Sequence, residues 1–338
     1  ATSLLSTKGT LGLIATNTVA QGDTREVGLD TMVAGGFTIT QAVQSRPWPA
    51  QSANLEYAAV WGSVGQVADS VPRIVDRAEA RSISTLLEPA GRATGNPVRL
   101  EENKGIAFQG CIVRGMGFVV DPKEAQEWIE LDPRNTDVLF PYLNGEDLNS
   151  QPDAAAARWV IDFNDRSVDE AAVYVLPYER VRRTVRPERS QNKDRLVREH
   201  PWWRFWRNSP AMRSAIAGLS EVLVIALVSK TVMPLRVPSA QVFSHMLGVF
   251  ATDDYGIQAV LSSSLHQVWA ITYGSGMRND PRYTPSDVFE TFPRPTPTTR
   301  LDEIGRALDV KRREIMLRRG LGLTKLYNLV NDPDVRED

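Results

Sequence analysis

The first 65 residues alternate between strand-like and helix-like segments, and this alternation restricts the fold more than any other feature of the chain. Leu11–Thr16 is an apolar run of strand length, followed by a polar turn, Asn17–Thr24. Arg25–Ala34 has the texture of a helix and is closed by Gly35-Gly36, the residue type that ends helices in a left-handed turn. Phe37–Val43 and Leu55–Trp61 read as further strands. Strand, helix and strand in succession predict an α/β sheet, here its second half.

Beyond this point the texture changes. Residues 71–105 are charged and rich in Pro and Gly and read as a connector. Residues 106–298 read as an α+β domain, with strands at Ile106–Val113, Gly117–Val120, Trp159–Phe163 and Val222–Val228 and one helix from Ile257 to Ile271. Pro293, Pro295 and Pro297 form a stiff exit into a tail, residues 299–338. There Leu301, Ile304, Leu308 and Ile315 predict one apolar helical stripe. A length of 338 residues suits two domains. The single cysteine, Cys111, excludes an internal disulfide and a Cys-based metal site, and fits a reducing cytoplasm. No apolar run is long enough to span a membrane. The chain opens Ala-Thr-Ser-Leu-Leu, with no initiator Met or basic leader, and reads as cut from a longer protein. Net charge is only -2, so any surface for nucleic acid must be local.

Two stretches carry chemistry suited to DNA. Glu179–Glu199 holds eight basic residues, among them Arg182, Arg183, Arg186, Arg189 and Lys193, against four acids. Such an excess suits phosphate contact, with Lys230 as a further candidate, but it also suits a solvated charged face. Tyr273–Tyr283 is a short loop rich in residues that read base edges. Ser275, Arg278, Asn279, Asp280 and Arg282 are its candidates for direct readout, and the alternative is an ordinary Gly/Asn/Asp loop. Trp202, Trp203 and Trp206 read as packing, with Arg204 and Arg207 beside them. Asp253-Asp254 and Glu146-Asp147 read as caps or turns rather than metal ligands. Ser262 and His266 lack a nucleophile elbow and an orienting acid. Glu102-Asn-Lys104 lacks the partner of a nuclease signature, and Gly320–Lys325 lacks the ending of a phosphate-binding loop.

Gly9–Glu26, Arg46-Pro-Trp-Pro, Ala53–Trp61, Gly105–Phe118, Asp137–Asn149, Trp159–Phe163, Val185–Arg189, Trp202-Trp203 and Ser262–Pro295 occur in that order. Together they resemble the MmeI-type family of adenine-specific DNA methyltransferases from restriction-modification systems, over nearly the whole chain. The later part also resembles half of a type I specificity subunit. The resemblance implies an α/β remnant of a class I methyltransferase sheet (1–70), the connector (71–105), a DNA target-recognition domain (106–298) and a helical tail. It implies S-adenosylmethionine as cofactor of the intact enzyme, and double-stranded DNA and an N-terminal catalytic portion, in some members with a nuclease, as partners. Asn17, Gln21 and Trp48 would border the pocket for a flipped adenine, and Asn144 and Asp147 would shape a turn of the recognition domain. The family's Gly-rich cofactor loop and Asn-Pro-Pro-Tyr/Phe motif are absent from these 338 residues, so no catalytic residue is assigned and the chain alone is expected to be inactive. The alternative is a specificity subunit that serves a separate methyltransferase.

Overall fold

The computed structural model describes residues 5–6, 9–49, 55–65, 67–89, 97–229, 231–277, 280–332 and 334–335. The chain divides into two compact units, one of residues 1–99 with 268–291 and one of residues 100–267 with 292–338.

The first unit is built on the strands Thr10–Thr16 (β1), Phe37–Pro47 (β2), Glu56–Val64 (β3), Arg73–Val75 (β4) and Ala78–Ala80 (β5), ordered β1-β3-β2-β4-β5. β3 is antiparallel to both β1 and β2, so β1 and β2 run the same way with β3 reversed between them. No hairpin can join two parallel strands. The crossover is a helical run from Gly22 to Ala34 whose middle, Glu26–Asp30, is wound as π-helix. It ends as predicted: Gly35 N–H donates to the Thr31 carbonyl at 3.0 Å, and Gly36 takes φ 88°. Leu29 of this run packs with Phe37, Ile39, Ala42, Ala58 and Val60 of the sheet.

The expected connector is partly sheet. β4 adds to β2 in parallel, and β5 returns through Asp76 and Arg77, both at positive φ, as a tight two-residue hairpin requires. The Val268–Thr291 segment also groups with this unit, where the sequence placed it in the recognition domain. Its strands Ser275–Met277 and Asp280–Arg282 form a hairpin that touches the Asn17–Ala20 turn. Buried Tyr283, Val288 and Phe289 anchor it, with Trp269 donating to Thr291 at 3.1 Å.

The second unit contains Ala107–Gln109 (β6), Val119–Val120 (β7), Leu139–Leu143 (β8), Arg158–Ile161 (β9), Glu221–Ala226 (β10), Leu235–Pro238 (β11), Val242–Phe243 (β12) and Leu247–Phe250 (β13). These make two four-stranded sheets, β11-β10-β13-β6 and β12-β8-β9-β7, around one core. β10 is the apolar run of the sequence, buried from Val222 to Ala226.

The single helix predicted over 257–271 is two helices, Tyr255–Leu261 and Ser264–Tyr273. Asp254 caps the first, and Ser263 Oγ donates to the Val260 carbonyl at 2.7 Å, a local bond that competes with helix continuation. His266 lies beyond the break, fully buried, its Nδ1–H donating to the Leu261 carbonyl at 2.8 Å. Burial lowers its pKa to about 4, although the carbonyl bond acts in the opposite direction. The unfolded chain protonates His266 near pH 6.5. Between these values the unfolded state binds more protons, so stability falls as pH drops from about 6.5 to 4, by up to about 3 kcal/mol. Urea unfolding at pH 7 and pH 4.5 is expected to show a smaller acid loss in His266→Gln than in the parent; equal losses would refute the linkage.

The helix Thr299–Arg319 is part of the second unit rather than a free tail. Thr298 caps its start, and Gly320, at φ 61°, ends it. The inward stripe is Gly305, Asp309, Arg312 and Met316, about one residue round from the predicted one, and Ile304 is exposed. The rotation follows from two contacts. Gly305 lies directly on the Tyr255 carbonyl. Asp309 accepts from Gln258 Nε2 at 2.8 Å, while Gln258 Oε1 accepts from Arg236 at 3.2 Å, all of them buried.

Candidate nucleic-acid interface

The basic stretch is a helix, Val175–Ser190, followed by a short one, Arg195–Glu199. The inward face of the long helix is Pro177, Val181, Val185 and Arg189, a four-residue repeat that carries one arginine into the core. Arg189 was expected on the DNA backbone; it is only 2% exposed and does not reach solvent. Its guanidinium donates to the carbonyls of Pro201 (2.9 Å), Arg204 (2.8 Å), Val113 (3.3 Å) and Arg114 (3.0 Å) and lies 5.4 Å from the Phe118 ring centre. Burial pulls its pKa down to about 10, so it stays charged at neutral pH.

The other cations of the stretch divide into two sets. Arg180 pairs with Glu124 at 3.0 Å, Arg182 with Glu179 at 2.8 Å and Arg195 with Glu199 at 2.8 Å, and Arg198 donates to the carbonyls of Asn192 and Lys193. Arg183 and Arg186 are exposed and, among the described residues, have no carboxylate partner. Lys193 is exposed, and Lys230 lies outside the described residues.

The three tryptophans pack, as expected, and each is covered by an arginine: Arg186 over Trp202 at 5.7 Å, Arg204 over Trp203 at 5.9 Å and Arg114 over Trp206 at 4.6 Å. Arg204 also donates to the carbonyls of Asp165 and Arg166, which makes it a latch for that turn. Arg114 did not stand out in the sequence. It stands at φ 47° ahead of Gly115 (φ 144°), and the Arg-Gly-x-Gly turn was the available signal.

Asn144 and Asp147 have structural roles. Asn144 Oδ1 accepts from Glu146 N (2.8 Å) and Asp147 N (3.0 Å), capping the helix Gly145–Ser150. Asp147 is buried and accepts from Ala157 N at 3.3 Å; desolvation raises its pKa. Of the candidates for base readout, Arg278 and Asn279 lie outside the described residues, Ser275 pairs with Arg282 and Asp280 with Met277 in the hairpin, and Arg282 is exposed.

In the first unit, Asn17 and Trp48 follow the ends of the parallel strands β1 and β2, the edge where open α/β sheets place their sites. Asn17 Nδ2 donates to Ser45 Oγ (3.1 Å) and Glu56 Oε2 (3.0 Å). Trp48 is 40% exposed and meets Tyr57 edge to face at 5.5 Å. Gln21 caps the Asn17–Ala20 turn through its backbone. Glu56 and Ser45 were not singled out in the sequence, because nothing in the pattern of a strand marks a residue that meets a distant asparagine. Among the described residues there is no cluster of three or more His, Cys, Asp and Glu able to hold a metal, and no helix long and apolar enough to cross a membrane.

The second unit thus combines two small sheets around one core with a helix that presents Arg183 and Arg186, which have no carboxylate partner among the described residues. Residues 100–296, more than half of the chain, match the family model of the MmeI target recognition domain, and the chain belongs to that family. The structure is similar to that of the type IIL restriction-modification enzyme MmeI in complex with DNA, with a TM-score of 0.74 and 16% identity, covering 97% of this chain and 44% of that one. The chain therefore spans less than half the length of that enzyme. The type IIG restriction endonuclease BpuSI aligns over 94% of this chain and 43% of its own at 12% identity, with a TM-score of only 0.33. No curated protein matches the sequence.

Proposed function

We propose that this chain recognises a specific duplex DNA sequence for an adenine-N6 methyltransferase of a restriction-modification or phage-defence system. The observation that carries this reading is the match of residues 100–296 to the MmeI target recognition domain. The second unit selects and holds the duplex. The first supplies the end of the methyltransferase sheet, and its β1-β3-β2 order with a helical crossover supports that role. Asn17, Glu56, Ser45, Trp48 and Tyr57 would border the pocket for a flipped adenine: the hydrogen bonds fix the floor, and the exposed indole offers a stacking face.

S-adenosylmethionine supplies the methyl group in this reading. The cofactor loop and the Asn-Pro-Pro-Tyr motif are not among the 338 residues, so the chain alone binds the cofactor weakly. The test is methyl transfer from labelled S-adenosylmethionine to duplex DNA. The chain alone is expected to transfer none. Joined to a family catalytic portion carrying Asn-Pro-Pro-Tyr, it is expected to mark adenine N6 at one motif. Trp48→Ala is expected to lower that transfer by roughly 5- to 150-fold, because a stacking interaction of about 1–3 kcal/mol is removed. Methylation on cytosine, or at unrelated sites, would refute the proposal.

A further inference from the structure

The buried Arg189 ties its own helix to the distant Val113–Arg114 turn and to the Pro201–Arg204 turn that follows the helix. It donates to backbone carbonyls at Val113 and Arg114, at Pro201 and at Arg204, from a helix that itself carries Arg183 and Arg186. The same segments are pinned in two further ways. Ile112 and Arg207 exchange backbone hydrogen bonds at 3.0 and 3.1 Å. Gly115 and Gly117 lie so close to Val185 and Thr184 that a side chain at Gly117 would collide with the helix.

Four arginines emerge from this junction: Arg114, Arg183, Arg186 and Arg207. All four are exposed, and among the described residues none has a carboxylate partner, although Arg180, Arg182 and Arg195 of the same region each have one. Arg114 and Arg186 also lie over the rings of Trp206 and Trp202. A guanidinium held over an indole face has N–H groups left to donate and loses less rotamer freedom on binding.

We infer that Arg114, Arg183, Arg186 and Arg207 form one preorganised phosphate-binding ridge that grips the duplex backbone irrespective of sequence. The inference rests on the DNA-recognition reading above and goes beyond it: it assigns the backbone contact to a surface assembled on Arg189, and includes Arg114 and Arg207. Unpaired cations are complementary to phosphate, and planar forks suit its oxygens. The indoles serve as supports for the arginines and do not stack on bases.

The test measures duplex affinity of the whole chain against salt, on its selected sequence and on a scrambled one. Arg114→Gln with Arg186→Gln is expected to weaken both duplexes by the same factor. It is also expected to make the slope of log K on log salt shallower by about 1 for each phosphate no longer neutralised. Arg182→Gln, which removes an already paired cation, is expected to leave the slope unchanged. Arg183→Gln with Arg207→Gln, which disturbs no aromatic ring, is expected to act like the first pair, so a folding defect at the tryptophans cannot imitate the result. A parent that selects its sequence while all these variants keep its slope overturns the ridge alone. A parent that binds no duplex overturns both the ridge and the reading beneath it. Tighter binding to single strands than to duplex overturns the supporting role of the indoles.

Discussion

Arg189→Met is expected to destabilise the second unit by about 3–5 kcal/mol, the range for disrupting a buried charged network. Methionine fills a similar volume but has no donors. The carbonyls of Val113, Arg114, Pro201 and Arg204 would lose a charged partner in a site that excludes water. A net loss of about 1–3 kcal/mol applies to each buried group left unsatisfied, and the losses overlap because the segments relax together. At a few degrees per kcal/mol, thermal unfolding is expected to fall by roughly 10 °C. Arg189→Lys is expected to recover only part of this, since one ammonium cannot span acceptors on both sides of a planar fork. A Tm for Arg189→Met within about 3 °C of the parent would mean that the arginine is not the junction described.

Gly305→Ala is expected to destabilise by about 2–4 kcal/mol, against the direction of helix propensity. Alanine normally improves a helix interior over glycine by roughly 1 kcal/mol. At this position the added Cβ would fall on the Tyr255 carbonyl, far inside contact distance, and the obstacle is backbone that cannot rotate away. The helices Thr299–Arg319 and Tyr255–Leu261 would have to separate, which would stretch the buried Gln258–Asp309 bond. Gly28→Ala is the matched control. It lies in a helical run with nothing within 4 Å of an added Cβ, and its stability is expected to be unchanged or slightly raised. The urea midpoint is expected to fall for Gly305→Ala and to stay or rise slightly for Gly28→Ala, and a stabilised Gly305→Ala would contradict the packing.

Local elements were legible in the sequence where one local cause dominates. The helix stop at Gly35-Gly36, the cap at Asp254 and the buried strand at Val222–Ala226 follow from turn chemistry and hydrophobicity. Elements decided by a distant partner were not. The stripe of the last helix is set by a glycine on a carbonyl and by a buried polar network, and an apolar count does not register either. The charge excess of Glu179–Glu199 was visible, but not that Arg189 points inward. Periodicity alone would have placed it there, four residues after Val185, and its charge argued the other way. The Val268–Thr291 segment groups with a sheet that ends at Ala80, a long-range association that no local pattern encodes.

The central claim is sequence-specific recognition of duplex DNA, and selection of bound duplexes from a random library at two salt concentrations tests it most directly. The account predicts one enriched motif at both salts, with affinity that falls as salt rises because phosphate contacts release counterions. Binding with no enriched motif at either salt, or no binding at low salt, would contradict it.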